Sequence, residues 1–159
     1  MNVKIIALVR LKEKWLEQGF LEYQKRLSAY GTAELCELEP VALPQNPSDA
    51  QISAALEKEA AKISEKIPPR AFTIALCIEG KKLSSEGLSE LMQNAALVGK
   101  SNIAFIIGSS FGLSPSVKQA ADFRLSISDM TFPHQLARLM LIEQIYRAFS
   151  IQNGGKYHK

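Results

Sequence analysis

Cysteine is scarce: only Cys36 and Cys77 are present, and both lie in apolar stretches that read as separate strands. An unpaired cysteine in such a place behaves as a small hydrophobe, so the expectation is a reduced, cytoplasmic protein. Long apolar runs are also missing. The stretch Val3 to Val9 is broken by Lys4 and followed by Arg10, far short of the roughly 18 residues of a membrane span and unlike a signal peptide. Neither G-x-G-x-x-G nor a P-loop ending in Lys-Ser/Thr occurs, so nothing supports ATP or NAD. His134, His158, Cys36 and Cys77 lack metal-ligand spacing, and no metal is expected. A net charge of +3 is too small to identify a nucleic-acid partner by itself.

What is present is the alternation of strand and helix signals in a chain of 159 residues, the length of one domain. Apolar, β-branched runs at Val3–Val9, Ala33–Leu38, Phe72–Ile78, Ile103–Ile107 and Phe123–Ser128 read as strands. Helices are expected from Lys14 to Ala29 and from Ser48 or Asp49 to about Ile67. Others run from Ser84 or Ser85 towards Gly99, from Ser114-Pro115, and from about Pro133 to Gln152. Pro40, Pro44 and Pro47 mark a loop, and Glu79-Gly80-Lys81-Lys82 reads as a turn. The expected architecture is α/β: a mostly parallel sheet flanked by helices, in a single domain over residues 1–159. The last helix is apolar on almost every face, from Leu136 through Ile151. The sheet alone does not cover that, so a homodimer is expected.

Ligands of open parallel sheets bind beyond the carboxyl ends of the strands. Three ends stand out: Leu76 to Gly80, the loop Gly108-Ser109-Ser110-Phe111-Gly112, and the loop Ser128 to Phe132. The second also fits the G-x-S-x-G elbow of serine hydrolases, with Ser110, then Asp122 or Asp129, then His134 or His158 in order. Against that, Ser114-Pro115 starts the helix several residues too late, and the chain is short for that fold.

The run Ser126-Ile127-Ser128-Asp129-Met130-Thr131-Phe132-Pro133-His134-Gln135-Leu136-Ala137-Arg138 continues with Glu143-Gln144-Ile145-Tyr146-Arg147-Ala148-Phe149 and terminal Tyr157-His158-Lys159. With Lys12-Glu13-Lys14, Leu83-Ser84-Ser85-Glu86 and Phe105-Ile106-Ile107-Gly108, it closely resembles the ribosomal RNA large subunit methyltransferase H family of the SPOUT superfamily. The resemblance spans the whole chain. It implies a C-terminal trefoil knot, a homodimer and S-adenosylmethionine bound in the knotted loops. It further implies methylation of N3 of a pseudouridine in 23S rRNA on the assembled 70S ribosome, with no role for DNA or a membrane. Position by position, it implies cofactor contacts from Leu76, Gly108, Ile127, Ser128, Asp129, Met130, Thr131 and Phe132. Many relatives carry Gly-Gly where this chain has Gly108-Ser109, and Asp129 stands where Lys is common.

Removing the N3 proton calls for a base, or for a cation beside the developing anion, and the expected catalytic groups are His134, Arg138 and His158. Arg138, Tyr157, His158 and Lys159 are expected to meet the RNA: a tyrosine can stack on a base and cations can meet phosphate. Lys12, Lys14, Lys25 and Arg26 read as a basic exposed face. Glu143 and Arg147, spaced i,i+4, read as a structural ion pair. The non-enzymatic alternative is a ribosome-binding factor that retains the fold without turnover.

Overall fold

A computed structural model describes residues 1–158. Five strands, β1 (Asn2–Ala7), β2 (Thr32–Glu37), β3 (Phe72–Lys82), β4 (Asn102–Ile107) and β5 (Phe123–Ser126), form one sheet in the order β2-β1-β4-β3-β5. Every neighbouring pair is parallel. Parallel strands require crossovers, and the helices α1 (Lys14–Leu27), α2 (Asp49–Lys66), α3 (Ser85–Leu97) and α4 (Pro115–Ala120) supply them. The last helix, α5 (His134–Gln152), follows β5.

The central strands are largely apolar on both faces because both faces are covered, whereas edge strand β2 carries Thr32, Glu34 and Glu37 at exposed positions. In β1, Val3, Ile5 and Ala7 join one core with Phe20 and Leu27 of α1, Leu88 and Met92 of α3, and Leu141, Ile142 and Ile145 of α5. Ile6, and Leu8 just beyond the strand, join the opposite core with Ile63 of α2 and Val117 of α4. The two-residue period of the strand thus divides its side chains between two layers of helices. Burying a side chain such as Phe105 or Ile106 contributes roughly 1.5–3 kcal/mol, and both are essentially inaccessible.

Local signals set the helix ends. The Ser48 hydroxyl accepts from the Gln51 amide while the Gln51 side chain accepts from the Ser48 amide, a capping box that starts α2. Ser84 and Ser114 cap α3 and α4 in the simpler way, and Pro115 takes the first position of α4.

One sequence expectation is corrected here. Glu79 to Lys82 is not a turn: β3 continues to Lys82, its pairing with β5 jumping from Leu76↔Leu125 to Lys81↔Leu125 across a bulge. Gly80 makes this possible. A Cβ there would sit 2.7 Å from the Leu125 carbonyl carbon and 2.8 Å from backbone atoms of Arg124 and Ser126. The bulged residues 77–80 project from the sheet at its carboxyl edge. Gly80→Ala is therefore expected to push β3 from β5 and destabilise the fold by about 1–3 kcal/mol, read as a lower urea midpoint.

Candidate functional site

The bulge near the carboxyl end of β3 and the loops that leave β4 and β5 surround one open cavity of about 770 Å³. Its walls are the bulge from Leu76 to Glu79, the loop Gly108–Gly112, and the segment from Leu125 through His134, with Asp129 the one residue of that segment left out. The volume suits a small organic ligand, and Leu76, Ile107, Leu125, Ile127 and Phe132 give it apolar surfaces between exposed loop backbones. Adenosylmethionine fits such a lining: apolar walls receive a purine, and backbone amides and carbonyls can read its edges.

The loop Gly108–Gly112 closes on itself. The Gly112 amide donates to the Ser109 carbonyl at 2.9 Å, and Gly112 adopts a φ of +80°. A Cβ on Gly108 would lie 2.4 Å from the Gly112 carbonyl group, so only glycine permits this closure. Ser110 is exposed in this loop, before a helix that begins only at Pro115. The strand-turn-helix of a nucleophile elbow is therefore absent. Asp122 is occupied elsewhere, accepting from the Thr73 amide at 2.8 Å and pairing with Lys100 at 2.7 Å. The hydrolase reading has no geometry behind it.

Of the eight expected cofactor residues, seven line the cavity: Leu76, Gly108, Ile127, Ser128, Met130, Thr131 and Phe132. Asp129 does not; its carboxylate is turned out to Lys82. In the same loop the Ser126 hydroxyl donates to the Ser128 carbonyl at 3.0 Å and the Met130 amide donates to the Ser128 hydroxyl at 3.0 Å. Sequence reasoning missed Lys118 and took in Glu79 only as part of the Leu76–Gly80 strand end; the two face the cavity as an ion pair of 2.5 Å. Lys118 holds the Glu79 carboxyl below its ordinary range. Their separation of 39 residues in the chain left no local signal.

His134, the first residue of α5, also lines the cavity. Burial, with the positive charges of Arg138 and Lys12, lowers its pKa below the ordinary 6.5, so its ring is neutral near pH 7 and free to accept a proton.

Arg138 corrects the sequence reading. It was expected to meet RNA, yet it is only 1% exposed. One guanidinium nitrogen bonds Glu37 Oε2 at 2.7 Å, another donates to the Val9 carbonyl, and Nε is buried without a partner. The same Glu37 oxygen accepts from the Leu11 amide at 2.7 Å, and the Lys12 amide donates to the Gln135 side chain at 3.1 Å. Arg138 therefore pins the segment between β1 and α1 against α5. A helix turn after His134, periodicity cannot distinguish a buried from an exposed arginine on an apolar helix.

The C-terminal segment lies elsewhere. Gly154 at φ +66° and the Gly155 amide, bonded to the Ser150 carbonyl at 2.7 Å, turn the chain back along α5. The Tyr157 hydroxyl then donates to Glu143 at 3.0 Å and lies 3.3 Å from that of Tyr23, while Arg147 stacks over the Tyr157 ring. Burial and these two partners raise the Tyr157 pKa, so the ring stays a neutral phenol. Glu143 and Arg147 form the expected ion pair, at 2.6 Å. His158 reaches Glu86 at 2.7 Å and the Arg147 guanidinium at 3.4 Å. Arg147 is thirteen residues along α5 from His134, about 20 Å at the helical rise, so one chain does not join His158 to the cavity. Lys159 lies outside the described residues. Among the described residues no cluster of three or more His, Cys, Asp or Glu side chains is placed to hold a metal ion, and no helix is long and apolar enough to cross a membrane.

Two outcomes follow from these contacts. In an NMR titration the His134 ring should protonate with a midpoint below 6.5. Because the fold favours the neutral ring, its contribution to stability is complete above about pH 6.5 and falls as pH drops through the folded midpoint. Glu37→Gln leaves the Arg138 charge buried without its counter-ion and should cost about 2–3 kcal/mol in denaturant unfolding.

Comparison with known proteins bears directly on this cavity. Residues 1–158 match the family model described as "Predicted SPOUT methyltransferase". Over 159 residues, all of both chains, the sequence is 50% identical to the ribosomal RNA large subunit methyltransferase H of Bacillus cytotoxicus. It is 48% and 49% identical to the proteins of that name from Bacillus pumilus and Bacillus thuringiensis, again over the full length of each. The solved structure of a probable methylase family protein from Haemophilus influenzae matches with a TM-score of 0.52 at 13% identity, covering 99% of this chain and 70% of that one, a likeness of fold. With identity near one half from end to end, the chain belongs to the SPOUT methyltransferase family.

Proposed function

We propose that this protein transfers a methyl group from S-adenosylmethionine to N3 of a pseudouridine in 23S rRNA, acting in the cytoplasm on the assembled 70S ribosome. One observation carries the reading: the β3 bulge and the loops after β4 and β5 wall a single cavity in a chain half identical, end to end, to proteins named as ribosomal RNA large subunit methyltransferases. The knot expected of the family would be formed by the loops after β4 and β5.

Bound in the cavity, adenosylmethionine supplies an electrophilic methyl on a sulfonium. The residues of the chain hold and orient. Leu76, Ile127 and Phe132 would flank the adenine, backbone groups of Gly108 and Ser128 to Thr131 would read its polar edges, and the Lys118–Glu79 pair stands at the same wall. Alignment of nucleophile and methyl is worth up to roughly 7–11 kcal/mol and requires neither a metal nor a covalent enzyme intermediate. The neutral imidazole of His134, at the cavity wall, would accept the N3 proton as attack proceeds.

Tyr157, His158 and Lys159 remain the proposed RNA contacts, Tyr157 by stacking and the others by charge; Arg138 is no longer among them. A homodimer would bring the tail of one protomer towards the cavity of its partner. It would also cover the partly exposed Leu136, Leu139 and Met140 of α5, which line a second, mainly apolar cavity of about 580 Å³.

The test is transfer of labelled methyl to 70S ribosomes from a strain lacking the enzyme, with free 23S rRNA in parallel. Formation of N3-methylpseudouridine on ribosomes is the expected result, and His134→Gln should lower the rate about 10²-fold or more with adenosylmethionine binding retained. Cofactor binding with no transfer to either substrate would favour the non-catalytic ribosome-binding factor.

A further inference from the structure

Helix α2 contains a feature that neither the cavity nor the sequence reading absorbs. Its buried residues are Ala55, Glu59 and Ile63, spaced i, i+4 and i+8 on one face. The middle one is a carboxylate, 3% exposed in a row otherwise apolar. Among the described residues it has no ion-pair partner: Lys62, one turn away, donates instead to the Glu39 carbonyl at 3.2 Å. Burial pushes the Glu59 pKa up. An uncompensated carboxyl group in such a row costs stability relative to an aliphatic side chain of similar size.

The two oxygens of Glu59 reach separate parts of the chain. Oε1 accepts from the Val41 amide at 3.0 Å and so anchors the proline-containing segment before α2. Oε2 accepts from the Ser109 hydroxyl at 3.5 Å. Ser109 is the cavity residue whose carbonyl closes the loop with the Gly112 amide. The loop is thus closed by Gly108 against Gly112 and tied to α2 by Glu59.

We propose that Glu59 is a positioning residue for the cofactor cavity: through Ser109 its buried carboxylate holds the 108–112 loop in the shape that receives adenosylmethionine. The inference rests on the methyltransferase reading above. Glu59 touches no reacting atom and acts only through the loop. An aliphatic residue at position 59 would fill the space and lose the anchor. Ser109 is the single cavity-lining side chain that Glu59 bonds, so the two side chains work as a unit.

The test uses the full-length protein, calorimetric titration with S-adenosylmethionine, and hydrogen exchange of amides 109–113 in the protein alone. Ser109→Ala keeps the core intact and is expected to weaken cofactor binding about tenfold and speed exchange in the loop, with little change in Tm. Glu59→Gln, which retains an acceptor for Val41, should give an effect of the same sign. Glu59→Gln combined with Ser109→Ala should lose no more affinity than Ser109→Ala alone, the non-additivity of a contacting pair. In turnover assays the loss should fall on the cofactor KM rather than on kcat, a split that general destabilisation would not produce. A wild type that binds adenosylmethionine beside variants with unchanged affinity and unchanged loop exchange would overturn the brace. A wild type that binds none would overturn the methyltransferase reading and the cofactor role together.

Discussion

Because all five strands run in one direction, every strand delivers its carboxyl end to the same edge of the sheet, and the rest of the molecule depends on that constraint. Return connections must cross over the faces, which forces helices onto both sides and makes the inner strands largely apolar. The β3 bulge and the loops after β4 and β5 then have one place to converge. The cavity follows from strand direction, and its residues come from segments far apart in sequence, with Lys118 of α4 and Ala137 of α5 beside the bulge and the two loops.

Glycine shapes the walls at two points by allowing backbones to meet. Gly80 lets β3 approach β5 so that the ladder resumes after the bulge, and the bulge itself becomes a wall. Gly108 lets its loop fold against Gly112. Polar groups then hold these shapes from outside. Glu37 and Arg138 pin the segment after β1 to the start of α5, beside His134, and Glu59 meets Ser109 from α2. Each of these side chains spends its charge on another protein group, with the cavity at one remove.

Much of this was legible in the chain. The strand runs, the serine caps and the proline breaks located all ten elements, because each depends on local chemistry: β-branched apolar runs, a hydroxyl before a helix, a ring that forbids helix. They did not place the end of β3, which is carried on to Lys82 through a bulge. Seven of the eight cofactor positions taken from the family resemblance line the cavity, since loops that follow strands keep their place when strand order is kept. Asp129 and Arg138 were not legible. Whether an acid in a loop turns inward or out to Lys82 depends on a residue 47 positions away, and Arg138 is buried by Glu37, 101 positions away.

By itself the sequence determined the alternation of elements, the apolar character of the strands, the helix ends and, through its likeness to known chains, the family. Those are properties of short windows or of the whole string compared with another. Only the tertiary structure decided which polar side chains face the cavity and which are consumed in holding it. His134 and Arg138 stand one turn apart on α5, with nothing in their spacing to separate them. One lines the cavity, and the other is buried with Glu37 and the Val9 carbonyl. The partners that make the difference come from other elements, and a charge in a folded protein goes where its compensation is.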